Sequence, residues 1–473
     1  MSAETNDVTR RDFVKTAGAV TAVAAAVQPV LEGAPAIQKV KAANNQVQFG
    51  FIGTGGRGQY LLKHMKAADI GRCVAVCDIY EPNLEKGATT IGSNPKKYKD
   101  YRELLAQKDV DCVLIATPLF VHFPVTKDAL LAGKHVFCEK SLVFKPEEVH
   151  ELRKLVNERP RQVLQVGLQR RYSKFYQTAK QMIDKGLIGN VTHVHAQWHR
   201  NLVNTPSASW TMKKEADPER QKMANWRLFR ECSGGLTAEL ASHQIDIADW
   251  MFGAHPEFVV GVGGIDTFQD GRDVFDNIQL IFSYPKGRKL MYSSISTNQQ
   301  LPYFGGERTQ FGERIMGTDA TIEITVGTDD EPSLGLWYVE PPKAKVTTAD
   351  KTKKEPIAQA QASLASTGRG ARGVPILFER DQITERDSFL EKEMKFARRW
   401  LYAKGVMVPE EDRNPVDVEL DSFMESVRTG ARPRADLEVG LADSTAVMLA
   451  NHAMDEGRRV FFKEIETMGR PTS

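Results

Sequence analysis

The chain has 473 residues, enough for two domains with well-buried cores. With 41% hydrophobic and 26% charged residues it is not a disordered chain, and a formal net charge of +2 argues against nucleic acid or an anionic membrane as its main partner. Five cysteines without a Cys-x-x-Cys pair make neither a disulfide framework nor a zinc site.

Thr9-Arg10-Arg11-Asp12-Phe13-Val14-Lys15 precedes an Ala-rich apolar stretch from Ala17 to Val30. A membrane span needs about 20 residues, so this shorter stretch reads as the apolar region of a twin-arginine signal peptide. Ala34-Pro35-Ala36 is the expected cleavage site. Residues 1–40 are therefore set aside as signal and linker. The mature chain is expected to be periplasmic, carried out folded by the twin-arginine machinery, with no membrane span. Folding in the reducing cytoplasm first suits unpaired cysteines. It also lets a cofactor bound there travel with the protein.

From residue 45 to 166 strands alternate with helices of 10–15 residues, the signature of right-handed βαβ units and a parallel sheet. The strands are Val47–Ile52, Val74–Cys77, Asp111–Ala116, Lys134–Cys138 and Val163–Val166. Cys73 and Cys77 fall four residues apart along the second, roughly 13 Å, too far to bridge. After Gln169-Arg170-Arg171 the texture changes. Strand-like runs Val191–Trp198, Phe258–Val262, Asn277–Tyr284, Lys289–Ser294 and Thr321–Val326 follow with few helices between them. Residues 167–414 therefore read as an α+β domain with a mainly antiparallel sheet. Residues 341–373 lack apolar periodicity and read as a long surface loop. Residues 415–465 return to helix.

In a parallel sheet, ligands sit beyond the carboxyl ends of the strands. Gly53-Thr54-Gly55-Gly56-Arg57-Gly58 ends the first strand and opens a helix. Gly53 permits the tight turn, Gly55 lets backbone approach a pyrophosphate, and Gly58 allows close helix packing. Asp78, twenty residues past Gly58, ends the next strand, where an acid accepts from ribose hydroxyls and repels a 2′-phosphate. NAD is thus favoured over NADP, although Arg57 offers a cation for the extra phosphate. Glu139-Lys140 ends the fourth strand. Elsewhere such a pair is usually a solvated surface pair, but here the lysine could reach a nicotinamide and a substrate hydroxyl. In the second domain, Glu239, His243 and Asp246 recur at i, i+4 and i+7 of a helical stretch. A carboxylate beside an imidazole orients it for general-base work, though a surface pair has the same spacing. His193, His195 and His199 share one face of a strand. No further acids gather there, so no metal is expected, and His199 is expected to line a substrate cleft. Trp198, Trp210 and Trp226 suit the core better than sugar platforms.

These residues, with Thr117-Pro118 and His122, Gly133-Lys134-His135-Val136 running into Cys138-Glu139-Lys140, Gly167-Leu168-Gln169-Arg170-Arg171, and Gly234 to Asp246, resemble the glucose–fructose oxidoreductase / inositol dehydrogenase / rhizopine-catabolism (Gfo/Idh/MocA) family. The resemblance covers roughly residues 45–300 and the closing helix near 415–455. It implies an α/β N-terminal Rossmann domain plus an α+β C-terminal domain whose open, mainly antiparallel sheet carries the substrate site and often the oligomer contact. Its catalytic lysine falls on Lys140, its histidine on His243 and its acidic partner on Glu239. Cofactor contacts are expected from Gly53, Thr54, Gly55, Arg57, Gly58, Asp78, Thr117, Pro118, His122, Glu139, Lys140 and Gln169. Substrate contacts are expected from Lys140, Arg171, Tyr172, His199, Trp226, His243 and Asp246.

The sequence departs from the family at three places. Ser141 stands where proline usually follows Glu-Lys, and a cis bond is far less favoured before serine, so Lys140 is expected to aim differently. Glu239 is one methylene longer than the usual aspartate. Ser233 and Ala241 replace glycines. The function implied is oxidation of a CH–OH group of a sugar, polyol or sugar derivative by a homo-oligomer, dimer or tetramer, with a retained, internally recycled cofactor. Two alternatives stay open: an NAD-dependent glycoside hydrolase or lyase working through transient oxidation, and a non-catalytic sugar-binding protein on the same fold.

Overall fold

The computed structural model describes residues 46–67, 71–299, 311–326, 334–340, 374–375, four single positions between 388 and 395, and 413–468. The twin-arginine stretch, its cleavage site and the 341–373 segment lie outside the described residues.

Six short strands form the first sheet: β1 (Val47–Ile52), β2 (Gly71–Cys77), β3 (Lys96–Tyr98), β4 (Cys112–Ile115), β5 (His135–Glu139) and β6 (Leu164–Gly167). All pair in parallel, in the order β3-β2-β1-β4-β5-β6. Every residue of β4 is buried, as expected for a strand covered on both faces. Strand order reverses between β1 and β4, which opens a crevice beyond their carboxyl ends. Thus β1 runs into the glycine turn and β4 into Thr117-Pro118. β3 escapes sequence reading because Lys-Lys-Tyr at a sheet edge has no apolar alternation.

The second sheet has nine strands among the described residues. They are β7 (Val191–His199), β8 (Phe258–Gly264), β9 (Asn277–Ser283), β10 (Lys289–Ile295), β11 (Phe311–Gly317), β12 (Ala320–Thr325), β13 (Leu334–Val339), β14 (Val374–Pro375) and β15 (Val460–Phe461). Their order is β14-β13-β12-β11-β7-β10-β9-β8-β15, and every neighbouring pair except β7–β10 is antiparallel. The pleat of β7 sorts its side chains into two sets. Val194 and Ala196 are buried, and Trp198 faces the helix Ser242–Phe252, its ring 5.9 Å from that of His243. His193, His195, Gln197 and His199 point to the other side, and the His199 Nε2 lies 2.7 Å from the Ser293 hydroxyl. On that outer face Val262 and Ile281 are exposed.

The C-terminal helices join the two sheets. Val416, Leu420, Phe423 and Met424 of helix Pro415–Thr429 enter the apolar cluster of β1 and helix Gly56–Ala67, and the Phe423 ring meets Phe137 edge-on at 5.7 Å. Helix Leu437–Glu456 is buried over most of its length between the first sheet and the substrate domain. Its Ser444 hydroxyl accepts from the backbone N–H of Leu142, 3.0 Å away, just past the Lys140 turn.

Candidate active site

The glycine turn is held from both sides. Gly53 has φ +92° and donates its N–H to Cys77 O at 2.9 Å; a Cβ there would stand 2.7 Å from the Ala116 backbone. A Cβ on Gly58 would stand 2.1 Å from Gly53 O. At Gly55, by contrast, a Cβ would meet only the Asn83 amide at 3.6 Å, and at Gly56 nothing within 4 Å. The protein itself therefore requires Gly53 and Gly58, whereas Gly55 and Gly56 leave open space above the start of a helix. That cradle suits a pyrophosphate. Asp78 braces the turn: its Oδ2 accepts from the Thr54 N–H at 2.8 Å and its Oδ1 from the Tyr80 N–H at 2.8 Å. The Thr117 hydroxyl and the Gln169 side-chain carbonyl are buried without a partner among the described residues. Both sit at strand ends, and both fit a dinucleotide that would bring their partners.

Two residues of the expected cofactor set are occupied elsewhere. Arg57 turns from Asp78 toward β5, donating from Nε to the Glu139 carboxylate at 2.7 Å and lying over the Tyr60 ring. His122 is buried, its ring nitrogens 2.8 Å from Ser141 O and 2.9 Å from Thr117 O. It ties the turn after β4 to the turn after β5, and burial pushes its pKa down. Pro118 follows Thr117 and precedes the short turn Leu119–Val121.

The Lys140–Ser141 peptide is cis even without proline. Lys140 reaches across to the second domain, where Nζ donates to Ala238 O at 2.9 Å and Glu239 O at 2.7 Å. These carbonyls belong to a π-helical turn, Thr237–Ala241, whose wider winding changes which backbone groups pair. The turn also breaks the expected i, i+4 alignment. Glu239 does not pair with His243; its Oε2 accepts from Arg227 Nε at 2.9 Å. His243 Nδ1 is buried with no partner among the described residues. Burial first, then the cations of Lys140, Arg170 and Arg57, push the His243 pKa well below its usual 6.5, so the ring is neutral. Burial likewise lowers the Lys140 pKa, against the opposing pull of Glu239 and Glu139. An ammonium has three N–H groups, and two are committed to carbonyls. The third is left for a substrate oxygen beside a neutral imidazole.

The expected substrate residues separate. Arg171 and Asp246 hold each other, with Nη2 2.7 Å from Oδ1 and Nε at 2.8 and 3.0 Å from the two oxygens, so neither charge is spare. Tyr172 is a core residue, its phenol pushed up by burial with Glu419 adding to the effect. His199 lies on the face of the sheet opposite His243, because the pleat alternates and it is one residue past Trp198. Trp226 stays near the cleft, under the Arg227 guanidinium at 4.2 Å. Sequence reasoning missed Arg200, Arg227 and the buried pair Arg170–Glu313, which also takes the Tyr176 hydroxyl. It missed Asp443 as well, whose carboxyl is buried without a partner among the described residues and pushed well above its usual range by burial. Arg200, directly after a strand bearing Trp198, was the one legible signal.

A parallel sheet with a glycine turn, an acid at the next strand end and a lysine that reaches a histidine-bearing helix packed on a second, open sheet define a two-domain dinucleotide-dependent oxidoreductase fold. Residues 47–168 match the family model "Oxidoreductase family, NAD-binding Rossmann fold" and residues 176–323 the "GFO/IDH/MocA C-terminal domain". The chain belongs to the Gfo/Idh/MocA family. It is 32% identical over 204 residues to an uncharacterized oxidoreductase of Synechocystis, covering 43% of this chain and 50% of the relative. It is 36% identical over 153 residues to an inositol 2-dehydrogenase of Gluconacetobacter diazotrophicus, covering 32% and 45%. The chain thus spans about half the length of these curated relatives. Its fold is also that of an aldose–aldose oxidoreductase from Caulobacter crescentus, with a TM-score of 0.61 at 18% identity over 88% of this chain and 99% of the other.

Proposed function

We propose that this chain is an exported NAD-dependent oxidoreductase acting on a CH–OH group of a sugar, polyol or sugar derivative. The observation that carries the reading is the pairing of Lys140, one N–H uncommitted, with the buried neutral imidazole of His243. Bound NAD supplies a hydride acceptor. Lys140 donates to the alcohol oxygen and stabilises negative charge as it develops there. His243 takes the hydroxyl proton, being neutral beforehand. Glu239 acts through Arg227 and through its charge on Lys140, not by orienting His243. Asp78 supports NAD over NADP, and with Arg57 committed to Glu139 the cation that argued for NADP is removed from the balance.

Export rests on the Arg10-Arg11 segment and its apolar run, and supports a periplasmic location. A nucleotide loaded before export and recycled between two sugars suits that location, and an aldose–aldose oxidoreductase shares the fold. The outer face of the second sheet, where Val262 and Ile281 are exposed, is the surface we assign to a homo-oligomer contact. The test is to denature protein purified without added nucleotide and weigh what it releases. Stoichiometric NAD(H) supports retention; an empty protein that needs added NAD removes it.

A further inference from the structure

One cation at the substrate end has no role in the chemistry above. Arg200 follows β7, on the side of the sheet that faces His243. Its Cζ lies 4.6 Å from the centre of the Trp210 ring. Nε and Nη2 are shut off from solvent, and neither has a hydrogen-bond partner among the described residues. A guanidinium has five N–H donors and no way to shed its charge easily. Donors buried without acceptors destabilise the fold unless a ligand brings acceptors. Burial draws the Arg200 pKa down to about 10; Tyr292 and Glu239 oppose that and Arg227 adds to it.

Arg227 is likewise stacked on a tryptophan, but its Nε already has a carboxylate partner. Its guanidinium rests on Trp226 at 4.2 Å and donates to Glu239 at 2.9 Å. The charges at this end do not balance. Among the described residues Glu239 is the carboxylate left to offset Lys140, Arg200 and Arg227, since Glu139 is taken by Arg57, Asp246 by Arg171, and burial favours the neutral form of Asp443. With His243 neutral, positive charge is left over. A planar guanidinium fork matches the two oxygens of a carboxylate.

We propose that Arg200 and Arg227 form an anion subsite, and that the substrate is a sugar bearing a carboxylate, of the aldonic or uronic acid class. The proposal rests on the reading of the cleft as a sugar-oxidising site and narrows it.

The test uses the full chain loaded with NAD. Glucuronate is compared with glucose, gluconate with sorbitol, and glucose 6-phosphate is added as a second anion. Binding is read from tryptophan fluorescence, since Trp210 and Trp226 back the two arginines, and turnover is read separately from NADH. At least one acid should bind about 10- to 100-fold more tightly than its neutral partner. That ratio should collapse toward one in Arg200→Met and be partly kept in Arg200→Lys. If Arg200→Met does not fold, the wild-type ratios decide alone. An acid that binds without yielding NADH keeps the subsite and sinks the oxidoreductase reading. Neutral sugars oxidised with no preference for acids keep that reading and overturn the subsite. Binding of neither acid, or tighter binding of the phosphate ester than of both acids, also overturns it.

Discussion

Two glycines three residues apart in one turn should fail in opposite ways when each becomes alanine. In Gly58→Ala the new methyl lands 2.1 Å from the Gly53 carbonyl oxygen, against an ordinary contact of 3.4–4 Å. The obstacle is backbone, so no rotamer relieves it. The helix Gly56–Ala67 must move away from β1, at a cost of about 3 kcal/mol, which lowers the melting temperature by roughly 5–10 °C. In Gly55→Ala the methyl meets only the Asn83 amide at 3.6 Å, and the backbone there is not left-handed. Folding is untouched, or gains about 0.4–1 kcal/mol from a stiffer unfolded chain. The methyl does fill the cradle. Each charge-assisted hydrogen bond to a pyrophosphate that it blocks is worth about 1.5–3 kcal/mol, roughly 10- to 100-fold in Kd. Calorimetric melts without nucleotide and NAD titrations of both variants separate the two effects. A Gly55→Ala protein that binds NAD like the wild type refutes the placement of the pyrophosphate. A Gly58→Ala protein that melts like the wild type refutes the close approach.

Other outcomes follow from charge and burial. The unfolded chain takes up a proton on His243 near pH 6.5 that the folded chain refuses, so stability is complete above about 6.5 and falls as pH drops toward the lowered folded pKa. Between pH 7 and 5 the wild type should therefore lose more stability than His243→Gln in parallel denaturant titrations; equal losses would show that burial and the nearby cations do not hold His243 neutral. Asp78→Ser removes the brace on Thr54 and the acceptor we propose for the ribose, and should weaken NAD by roughly tenfold with less effect on NADP. Burial raises the thiols of Cys73, Cys77 and Cys138 to about 12 and lifts Cys112 and Cys232 as well, so all five should resist a thiol reagent until the chain unfolds. Rapid native labelling would contradict that burial.

What the sequence made legible was local. The glycine spacing, Asp78 at the next strand end, and Lys140 at the end of β5 are fixed by a few consecutive residues and the alternation of strand and helix. What stayed hidden depended on partners far along the chain or on one residue of register. Arg57 finds Glu139 82 residues away, and only the closed sheet brings them together. The Glu239–His243 pairing assumed regular α-helical winding, and one π-helical turn gave Glu239 to Arg227 instead. His199 is chemically apt but sits on the wrong side of the pleat. β11 went unread because its buried acid, Glu313, looks like surface until Arg170 and Tyr176 are found around it. Tyr172 reads as a polar contact residue, yet helix Pro415–Thr429 covers it from more than 240 residues downstream.

The account stands on Lys140 and His243 working together on an alcohol. The direct measurement is a single-turnover reaction of NAD-loaded protein with a panel of sugars, polyols and sugar acids, following the reduced nicotinamide band in wild type, Lys140→Met and His243→Gln. The account predicts a burst of NADH with at least one alcohol, slowed by roughly 100- to 10,000-fold in His243→Gln and strongly in Lys140→Met, with NAD still bound in both. NADH formed at the wild-type rate by either variant, or none formed by the loaded wild type with any member of the panel, would contradict it.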